Sequence, residues 1–297
     1  MSQIAFIGLG AMGGGMAANQ VKAGHGVCAY DLSDAALAKA VEHGCTRAGS
    51  AAQAVADADV VITMLPAGQH VRDVFADAVF PNAKPGALLI DCSTIDVDSA
   101  RAVAVQAREH GFTFADAPVS GGTAGADAGQ LAFMVCFDEP GFPAVKAALE
   151  PMAKAVIHAG DAGAGQAAKI CNNMVLGISM LAVCEGFALA EQLGLDPQKF
   201  YDIASQSSGQ CWSLTSYSPW PGVGPSSPAD SDYQGGFLVG LMLKDLKLAQ
   251  QAAASSGAAT PMGAQAEALY ALMARQGLSG RDFSIALPLL RGQLGTA

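Results

Sequence analysis

The chain has 297 residues, of which 51% are hydrophobic and 14% charged, and its formal net charge is −10. A chain of this length can form two ordinary domains with well-buried cores. The acidic balance, without any cluster of Lys and Arg, argues against nucleic acid or an anionic membrane as a partner. Seven scattered cysteines without a C-x-x-C pair indicate a reducing compartment. The histidines show no metal-ligand spacing, so we expect no metal site.

The N-terminal residues lead directly into a short apolar strand, so we expect no signal or transit segment. No apolar stretch reaches the roughly 18 charge-free residues that a membrane span needs. These features predict a soluble, cytoplasmic protein.

Residues 1–160 alternate short β-like runs with helical stretches. Strands are predicted at 4–8, 27–31, 59–65, 87–93, 112–119 and 130–137, and helices at 16–23, 35–43 and 98–110. Strands that alternate with helices form a parallel, doubly wound sheet. The sequence therefore predicts an α/β fold whose N-terminal, Rossmann-type domain spans residues 1–162.

Residues 163–297 are rich in Ala, Leu and Met and have a helical period. Helices are predicted at about 165–193, 197–206, 236–256, 261–276 and 282–291. The first would be about 43 Å long at 1.5 Å per residue, long enough to join two domains. This half is therefore predicted to be an all-α domain. Its apolar, weakly charged composition favours a homo-oligomer with a hydrophobic interface.

Residues 205–236, which we call the lid segment, form a Gly-, Pro- and Ser-rich run that contains both tryptophans, Trp212 and Trp220. One interpretation is a surface loop whose aromatic side chains dock on the core. The other is a lid over a site between the domains. The lid is favoured because long loops in compact domains are usually functional or disordered, and aromatic residues disfavour disorder.

The run GLGAMG at 8–13 is a G-x-G-x-x-G motif between the first strand and the first helix. Gly8 permits the tight turn, Gly10 lets the backbone approach a pyrophosphate, and Gly13 lets the helix pack closely on the strand. Asp31 ends the second strand, where an acid accepts hydrogen bonds from the adenosine ribose and repels a 2′-phosphate. These residues predict NAD rather than NADP. A glycine-rich turn that binds another ligand, such as a mononucleotide, is the alternative.

Lys169 and Asn173 lie four residues apart in an apolar helical run and therefore share one face of the helix. Asn172 is rotated from Asn173 by about 100° around the helix axis. A lysine desolvated beside a neutral amide has a lowered pKa, so it can take a proton from a substrate alcohol as hydride leaves the adjoining carbon. The alternative is a lysine that reaches solvent beside two amides that cap backbone groups. The residues alone do not decide between the two.

The sequence resembles the 3-hydroxyisobutyrate dehydrogenase group of the β-hydroxyacid dehydrogenases over essentially its whole length. Four separated motifs carry the resemblance: GLGAMGGGMA at 8–17, DAPVSGGTAGADAGQL at 116–131, GAGQAAKICNNMVLG at 163–177 and KDLKLA at 244–249. Further matches are MLP at 64–66, DCST at 91–94, and the CW…Y…PWPG pattern of the lid segment together with YQGGF at 233–237. One departure is Lys247, where relatives often carry glycine.

The resemblance implies roles for individual residues. Lys169 is the general acid/base, and Asn173 orients the substrate or the lysine. The implied substrate-binding residues are Ser120, Gly121, Gly122, Trp212, Tyr217, Lys244 and Asp245. The implied cofactor-binding residues are Gly8, Leu9, Gly10, Ala11, Met12, Gly13, Asp31, Leu65, Pro66, Thr94 and Lys244. Physical reasoning agrees for Ser-Gly-Gly, because a hydroxyl and unobstructed N–H groups form an anion nest. KDLKLA read alone is a solvated helix turn.

The activity implied by the resemblance is NAD-dependent oxidation of 3-hydroxyisobutyrate to methylmalonate semialdehyde, as in valine degradation, by a homodimer or homotetramer that needs no metal. L-Serine and 3-hydroxypropionate are alternative substrates, because close relatives share all of these motifs. An alternative of a different class is a non-catalytic NAD-binding sensor. The intact Lys169, Asn173 and Ser-Gly-Gly loop argue against a sensor.

Overall fold

The computed structural model describes residues 1–137 and 141–293. The chain divides into two compact units, Met1–Lys169 and a second that begins at Ile170. The division falls inside a long helix, whereas the domain boundary predicted from the sequence lies just before that helix.

The first unit is built on a sheet with nine strands among the described residues. They are β1 Gln3–Ile7, β2 Gly26–Tyr30, β3 Thr46–Arg47, β4 Val60–Thr63, β5 Leu88–Asp91, β6 Thr113–Asp116, β7 Val119–Ser120, β8 Leu131–Cys136 and β9 Ala153–Gly160. The spatial order is β3-β2-β1-β4-β5-β6-β8-β7, with β9 beside β8. The first six strands pair in parallel in the order of a Rossmann sheet, which confirms the predicted fold class.

The far end of the sheet departs from the predicted parallel arrangement. The run predicted as one strand at 112–119 breaks at Pro118 into β6 and β7, because proline lacks the N–H that a central strand donates. β8 then pairs antiparallel with both β6 and β7. Two further strands are not predicted from the sequence: β3, which has only two residues, and β9, whose exposure along the strand does not alternate regularly.

Helices cover both faces of this sheet. They are α1 Gly13–Lys22, α2 Asp34–Glu42, α3 Ala51–Val55, α4 Gly68–Val74, α5 Phe80–Asn82, α6 Val97–Glu109, α7 Gly122–Ala128 and α8 Phe142–Leu149, with a π-helical turn Phe75–Val79 between α4 and α5. Ile4 and Phe6 of β1 pack into one apolar core, and Ala5 and Ile7 into the other. Burial on both faces explains why the central strands are continuously apolar.

The second unit is helical. Its helices are the greater part of α9 Ala164–Gln192, then α10 Pro197–Ala204, α11 Trp212–Thr215, α12 Val239–Ser256, α13 Pro261–Met273 and α14 Ala286–Leu290. Phe187, Tyr270 and Phe283 lie in one buried core. α12 begins later than predicted because Gly235 and Gly236 adopt left-handed φ values of 74° and 67°. The predicted helix at 282–291 is a 3₁₀ turn, Phe283–Ile285, followed by α14.

α9 has 29 residues and matches the predicted long helix closely. By length and composition it could cross a membrane, but 44% of its most apolar stretch is buried in the protein. Its first turn carries the buried side chain of Gln166, which donates to the Ser93 carbonyl (2.9 Å) and accepts the Ile95 N–H (3.0 Å). Buried apolar surface and a hydrogen-bonded buried amide are typical of a core helix in a soluble protein.

The lid segment contains α11 and a 3₁₀ turn, Pro228–Ser231. Trp220 packs against Phe187, with 5.5 Å between ring centroids, and the Arg291 guanidinium lies 4.2 Å from its ring. Trp220 therefore docks on the core, as the first interpretation expects. Trp212 is 51% exposed.

Candidate active site

The glycine motif forms the turn between β1 and α1. Gly8 has φ +94°, and a Cβ there would clash with the Met64 carbonyl oxygen. A Cβ on Gly13 would clash with the carbonyl oxygen of Gly8. Gly10 differs, because it is exposed and a Cβ there would meet no protein atom within 4 Å. Packing therefore explains two of the three glycines, and the third leaves the backbone accessible to a pyrophosphate.

Asp31 follows β2 and holds the glycine turn. Its carboxylate oxygens accept the N–H groups of Leu9 at 2.6 Å and of Ser33 at 2.7 Å. The side chain is only partly buried, so oxygen lone pairs can also accept ribose hydroxyls. Leu32 and Ser33 bring no positive charge to this position. The turn and the acid together fit an adenine dinucleotide. Ala11 and Met12 complete the turn and are exposed and half-buried, respectively.

A buried polar network fixes the loops that follow β4 and β5. The Thr63 and Ser93 hydroxyls donate to Asp91 Oδ1 at 2.7 and 2.6 Å, and the Leu65 N–H donates to Ser93 Oγ at 2.7 Å. Pro66 and Thr94 follow directly and are exposed and half-buried, respectively. The carboxyl ends of these strands are where ligands bind in open parallel sheets.

The Ser-Gly-Gly run leads from β7 into α7. Gly121 and Gly122 have φ values of 140° and 64°, which glycine adopts without strain. At the other end of α7, the Asn19 amide of α1 donates to the Ala126 carbonyl at 2.7 Å. α7 is thereby held against α1, the helix that begins at the glycine turn.

Lys169 lies near the start of α9 and is 6% exposed. The beginning of α9 is anchored to the sheet: Asp116 Oδ1 accepts the Gly163 N–H at 3.1 Å, and Cys136 Sγ accepts the Gly165 N–H at 2.5 Å. Burial raises the pKa of Asp116 to about 6, against the lowering effect of the Gly163 hydrogen bond. The lysine is therefore a buried amine on a rigidly attached helix turn.

Asn173 follows one turn later on α9 and is 1% exposed. Its Nδ2 donates to Asp245 Oδ2 of α12 at 2.5 Å, and its Oδ1 accepts from Asn172 Nδ2 at 3.1 Å. Asp245 Oδ1 also pairs with Lys244 Nζ at 3.8 Å. The second unit thus brings together Asn173, Lys244 and Asp245.

KDLKLA is not simply a solvated turn, because Asp245 and Leu246 are 3% and 0% exposed. Lys247 does lie on an exposed part of α12, and Asn172 is exposed on α9. The two lysines of the motif therefore differ: Lys244 pairs with the buried Asp245, whereas Lys247 is exposed.

Tyr217 and Trp212 stack within the lid segment, with ring centroids 5.0 Å apart. The Tyr217 hydroxyl donates to Asp282 Oδ2 at 2.8 Å. Sequence reasoning does not identify Asp282, Asp116 or Gln166. Asp116 and Gln166 lie inside matched motifs and could have been found there, whereas Asp282 lies in a run without a motif.

Comparison with known proteins agrees with the motifs. Residues 3–160 match the family model described as the NAD binding domain of 6-phosphogluconate dehydrogenase. Residues 163–290 match the one described as NAD-binding of NADP-dependent 3-hydroxyisobutyrate dehydrogenase. The first unit is therefore an NAD(P)-binding Rossmann domain, and the predicted cofactor class is confirmed.

Similar proteins align with this chain over nearly the full length of both sequences. The chain is 49% identical to 3-hydroxyisobutyrate dehydrogenase of Pseudomonas aeruginosa, covering 99% of this chain and 100% of the relative. It is 48% identical to NAD-dependent L-serine dehydrogenase of the same organism, covering 96% of each. A solved structure of Mycobacterium tuberculosis 3-hydroxyisobutyrate dehydrogenase with L-serine has a TM-score of 0.95 at 48% identity and covers 98% of this chain and 99% of that one. The chain belongs to the 3-hydroxyisobutyrate dehydrogenase family of NAD(P)-dependent oxidoreductases.

Proposed function

We propose that the protein catalyses the NAD-dependent oxidation of 3-hydroxyisobutyrate to methylmalonate semialdehyde. The observation that carries the proposal is the burial of Lys169 on a helix turn anchored to the sheet that bears the glycine turn. An amine held in a fixed place beside a substrate hydroxyl can act as general base in one direction and as general acid in the other.

The proposed chemistry divides between cofactor and protein. The glycine turn and Asp31 would hold NAD, which when bound would supply the hydride acceptor for the carbon that carries the hydroxyl. Lys169 takes the hydroxyl proton during oxidation, and in the reverse direction it protonates the carbonyl oxygen. Ser120, Gly121 and Gly122 bind the substrate carboxylate through the serine hydroxyl and backbone N–H groups.

The second unit supplies the remaining proposed contacts. Asn173 orients the substrate or the lysine, and its amide is fixed at both ends by Asn172 and Asp245. Lys244 contributes a cation toward substrate and nicotinamide, with Asp245 as its charge partner. The stacked rings of Trp212 and Tyr217 line the substrate pocket.

Asp31 supports a preference for NAD over NADP. Its carboxylate lies beside the glycine turn, bonded to the Leu9 N–H, where a ribose 2′-phosphate would meet a negative charge. The two residues that follow bring no compensating cation.

L-Serine is the second candidate substrate. A relative 48% identical is named an NAD-dependent L-serine dehydrogenase, and the similar solved structure contains L-serine. Serine and 3-hydroxyisobutyrate share the carboxylate and the primary alcohol and differ in an amine against a methyl group at C2. The same machinery therefore serves both substrates, and the surroundings of C2 decide between them.

Initial rates of NADH formation test these proposals. The wild-type protein would be assayed with 3-hydroxyisobutyrate, L-serine and 3-hydroxypropionate, each with NAD and with NADP. We expect the highest kcat/KM for 3-hydroxyisobutyrate with NAD. A higher kcat/KM for serine would keep the mechanism and change the substrate. Binding of NAD without turnover of any of the three acids would support a sensor instead.

We also propose a cytoplasmic homodimer or homotetramer. All seven cysteines are free thiols, which suits a reducing compartment. The second unit exposes large apolar side chains on α9, at the end of α9 and on α10, among them Val175 (60%), Leu193 (76%) and Ile203 (60%). Such surface favours association between copies. Sedimentation velocity on the full chain tests this, with a monomer as the contrary result.

A further inference from the structure

Asp282 is a fully buried carboxylate that accepts four hydrogen bonds. Its Oδ2 accepts from the Tyr217 hydroxyl and the Phe237 N–H, each at 2.8 Å. Its Oδ1 accepts from the Ser284 N–H at 3.0 Å and from the Ser284 hydroxyl at 2.5 Å. The two oxygens therefore bind different segments. Oδ2 binds Tyr217 of the lid segment and Phe237 just after it, and Oδ1 binds Ser284, two residues after Asp282.

The Oδ2 contacts tie down the lid segment at two places. Tyr217 lies within it, and Phe237 is the first residue after it. The Asp282 N–H also donates to the Tyr233 carbonyl at 2.8 Å. The lid segment also packs closely against Asp282 at its end, because a Cβ on Gly236 would clash with both Asp282 Oδ2 and the Tyr217 hydroxyl.

The Tyr217 ring, which Asp282 holds through the hydroxyl, in turn contacts Trp212. The two rings stack at 5.0 Å with an interplanar angle of 23°, and the indole is 51% exposed. Tyr217 also packs against Phe283, with ring centroids 5.5 Å apart. The Tyr217 hydroxyl has a single hydrogen, and Asp282 receives it.

We propose that Asp282 is a positioning residue for substrate recognition, which sets the place of the Trp212 indole by holding the hydroxyl of Tyr217. Tyr217 then shapes the pocket with its ring and donates no hydrogen bond to the substrate. This inference rests on the proposed function, in which Trp212 and Tyr217 line the substrate pocket.

Two matched variants separate the two sides of the carboxylate. Tyr217→Phe removes the hydroxyl on the lid side and keeps the ring, and Ser284→Ala removes a hydroxyl of the same kind from the other oxygen. We expect Tyr217→Phe to raise the KM for the hydroxy acid about tenfold, the effect of one hydrogen bond to a charged group. The KM for NAD should stay unchanged in both variants, and Ser284→Ala should leave the KM for the hydroxy acid within about twofold.

Asp282→Asn tests whether Tyr217 acts through the carboxylate. The amide nitrogen would face donors on one side, so one pair of contacts loses its acceptor. The double variant Asp282→Asn/Tyr217→Phe should raise the KM for the hydroxy acid no further than the more impaired single variant. Effects that multiply would show that the Tyr217 hydroxyl contacts the substrate independently, and they would overturn the inference. If Asp282→Asn does not fold, Tyr217→Phe and Ser284→Ala still decide the matter.

Acrylamide quenching of tryptophan fluorescence gives a readout that does not depend on the substrate. The signal of Trp212 is obtained by difference from Trp212→Phe. We expect its accessibility to change in Tyr217→Phe and to stay as in the wild type in Ser284→Ala. Unchanged Trp212 quenching in Tyr217→Phe would overturn the inference. If the wild type oxidises no hydroxy acid, the proposed function fails, and quenching still tests the anchoring of Trp212.

Discussion

The side-chain amide of Asn173 donates to the carboxylate of Asp245 across 2.5 Å, and both side chains are buried. The two residues are 72 positions apart in the chain, on α9 and α12. This contact joins the asparagine of the lysine helix to the KDLKLA motif within the second unit.

Asp245→Ala should destabilise the protein, because it leaves the Asn173 amide buried without its acceptor. We expect the free energy of unfolding to fall by about 1–3 kcal/mol in urea denaturation. Lys247→Ala, on an exposed part of the same helix, should change it by less than about 0.5 kcal/mol. Equal effects of the two substitutions would contradict the assigned role of the contact.

Lys244 and Lys247 should differ in function as well. Lys244 pairs with the buried Asp245, whereas Lys247 is exposed. Lys244→Ala should lower kcat/KM for the hydroxy acid about tenfold or more, as expected for the loss of a charged contact. Lys247→Ala, which removes the cation where relatives often carry glycine, should leave steady-state kinetics unchanged. If Lys247→Ala loses activity and Lys244→Ala does not, the functional lysine of the motif is Lys247 and not Lys244.

Asp31→Ala should raise the KM for NAD and narrow the preference for NAD over NADP. The substitution removes both the proposed ribose acceptor and the partner of the Leu9 N–H. Asp34→Asn serves as the control, since Asp34 is an exposed acid nearby on α2 that pairs with Arg47. A wild type that prefers NADP over NAD would contradict the proposed repulsion between Asp31 and a ribose 2′-phosphate.

Asp116 gives the stability a predictable pH dependence. Burial raises its pKa from 3.8 to about 6. At a pH between these two values, the carboxyl group is protonated in the folded protein and ionised in the unfolded chain. Stability from this group is therefore fully present below about pH 4 and is lost as the pH rises to about 6. Asp116→Asn keeps an oxygen for the Gly163 N–H and removes the titration.

The corresponding measurement is urea denaturation of wild type and Asp116→Asn at two pH values. Between pH 5 and pH 7.5 the difference in free energy of unfolding should shift in favour of the variant by about 1 kcal/mol. A difference that stays constant over this range would show that Asp116 does not titrate there.

Local patterns were sufficient to predict the elements that carry the glycine turn and the lysine. β1 is a buried apolar run followed by Gly8, where a Cβ would clash with the Met64 carbonyl oxygen. α9 is a long apolar helix whose predicted bounds differ by one residue at each end. α7 was not predicted, because its sequence GTAGADA has few apolar residues and its position depends on Asn19, 107 residues from Ala126.

The contacts between distant segments could not be predicted from one sequence. Tyr217 and Asp282 are 65 residues apart, and no periodic pattern relates them. Asp116 and Gln166 stand in recognisable motifs, but their burial and partners depend on how β6, β8 and the start of α9 pack together. The strand break at Pro118 is a local effect of proline. The antiparallel direction of β8, by contrast, depends on its pairing with β6 and β7.

The most direct test of the account is the turnover of Lys169→Ala with 3-hydroxyisobutyrate and NAD, beside Lys199→Ala, which removes an exposed lysine from α10. We expect kcat of Lys169→Ala to fall by roughly 10²–10⁴-fold, as for the loss of a general acid/base. NAD affinity, measured by calorimetry, should stay near that of the wild type, and Lys199→Ala should behave as the wild type in both assays. A near-normal kcat in Lys169→Ala would contradict the central claim.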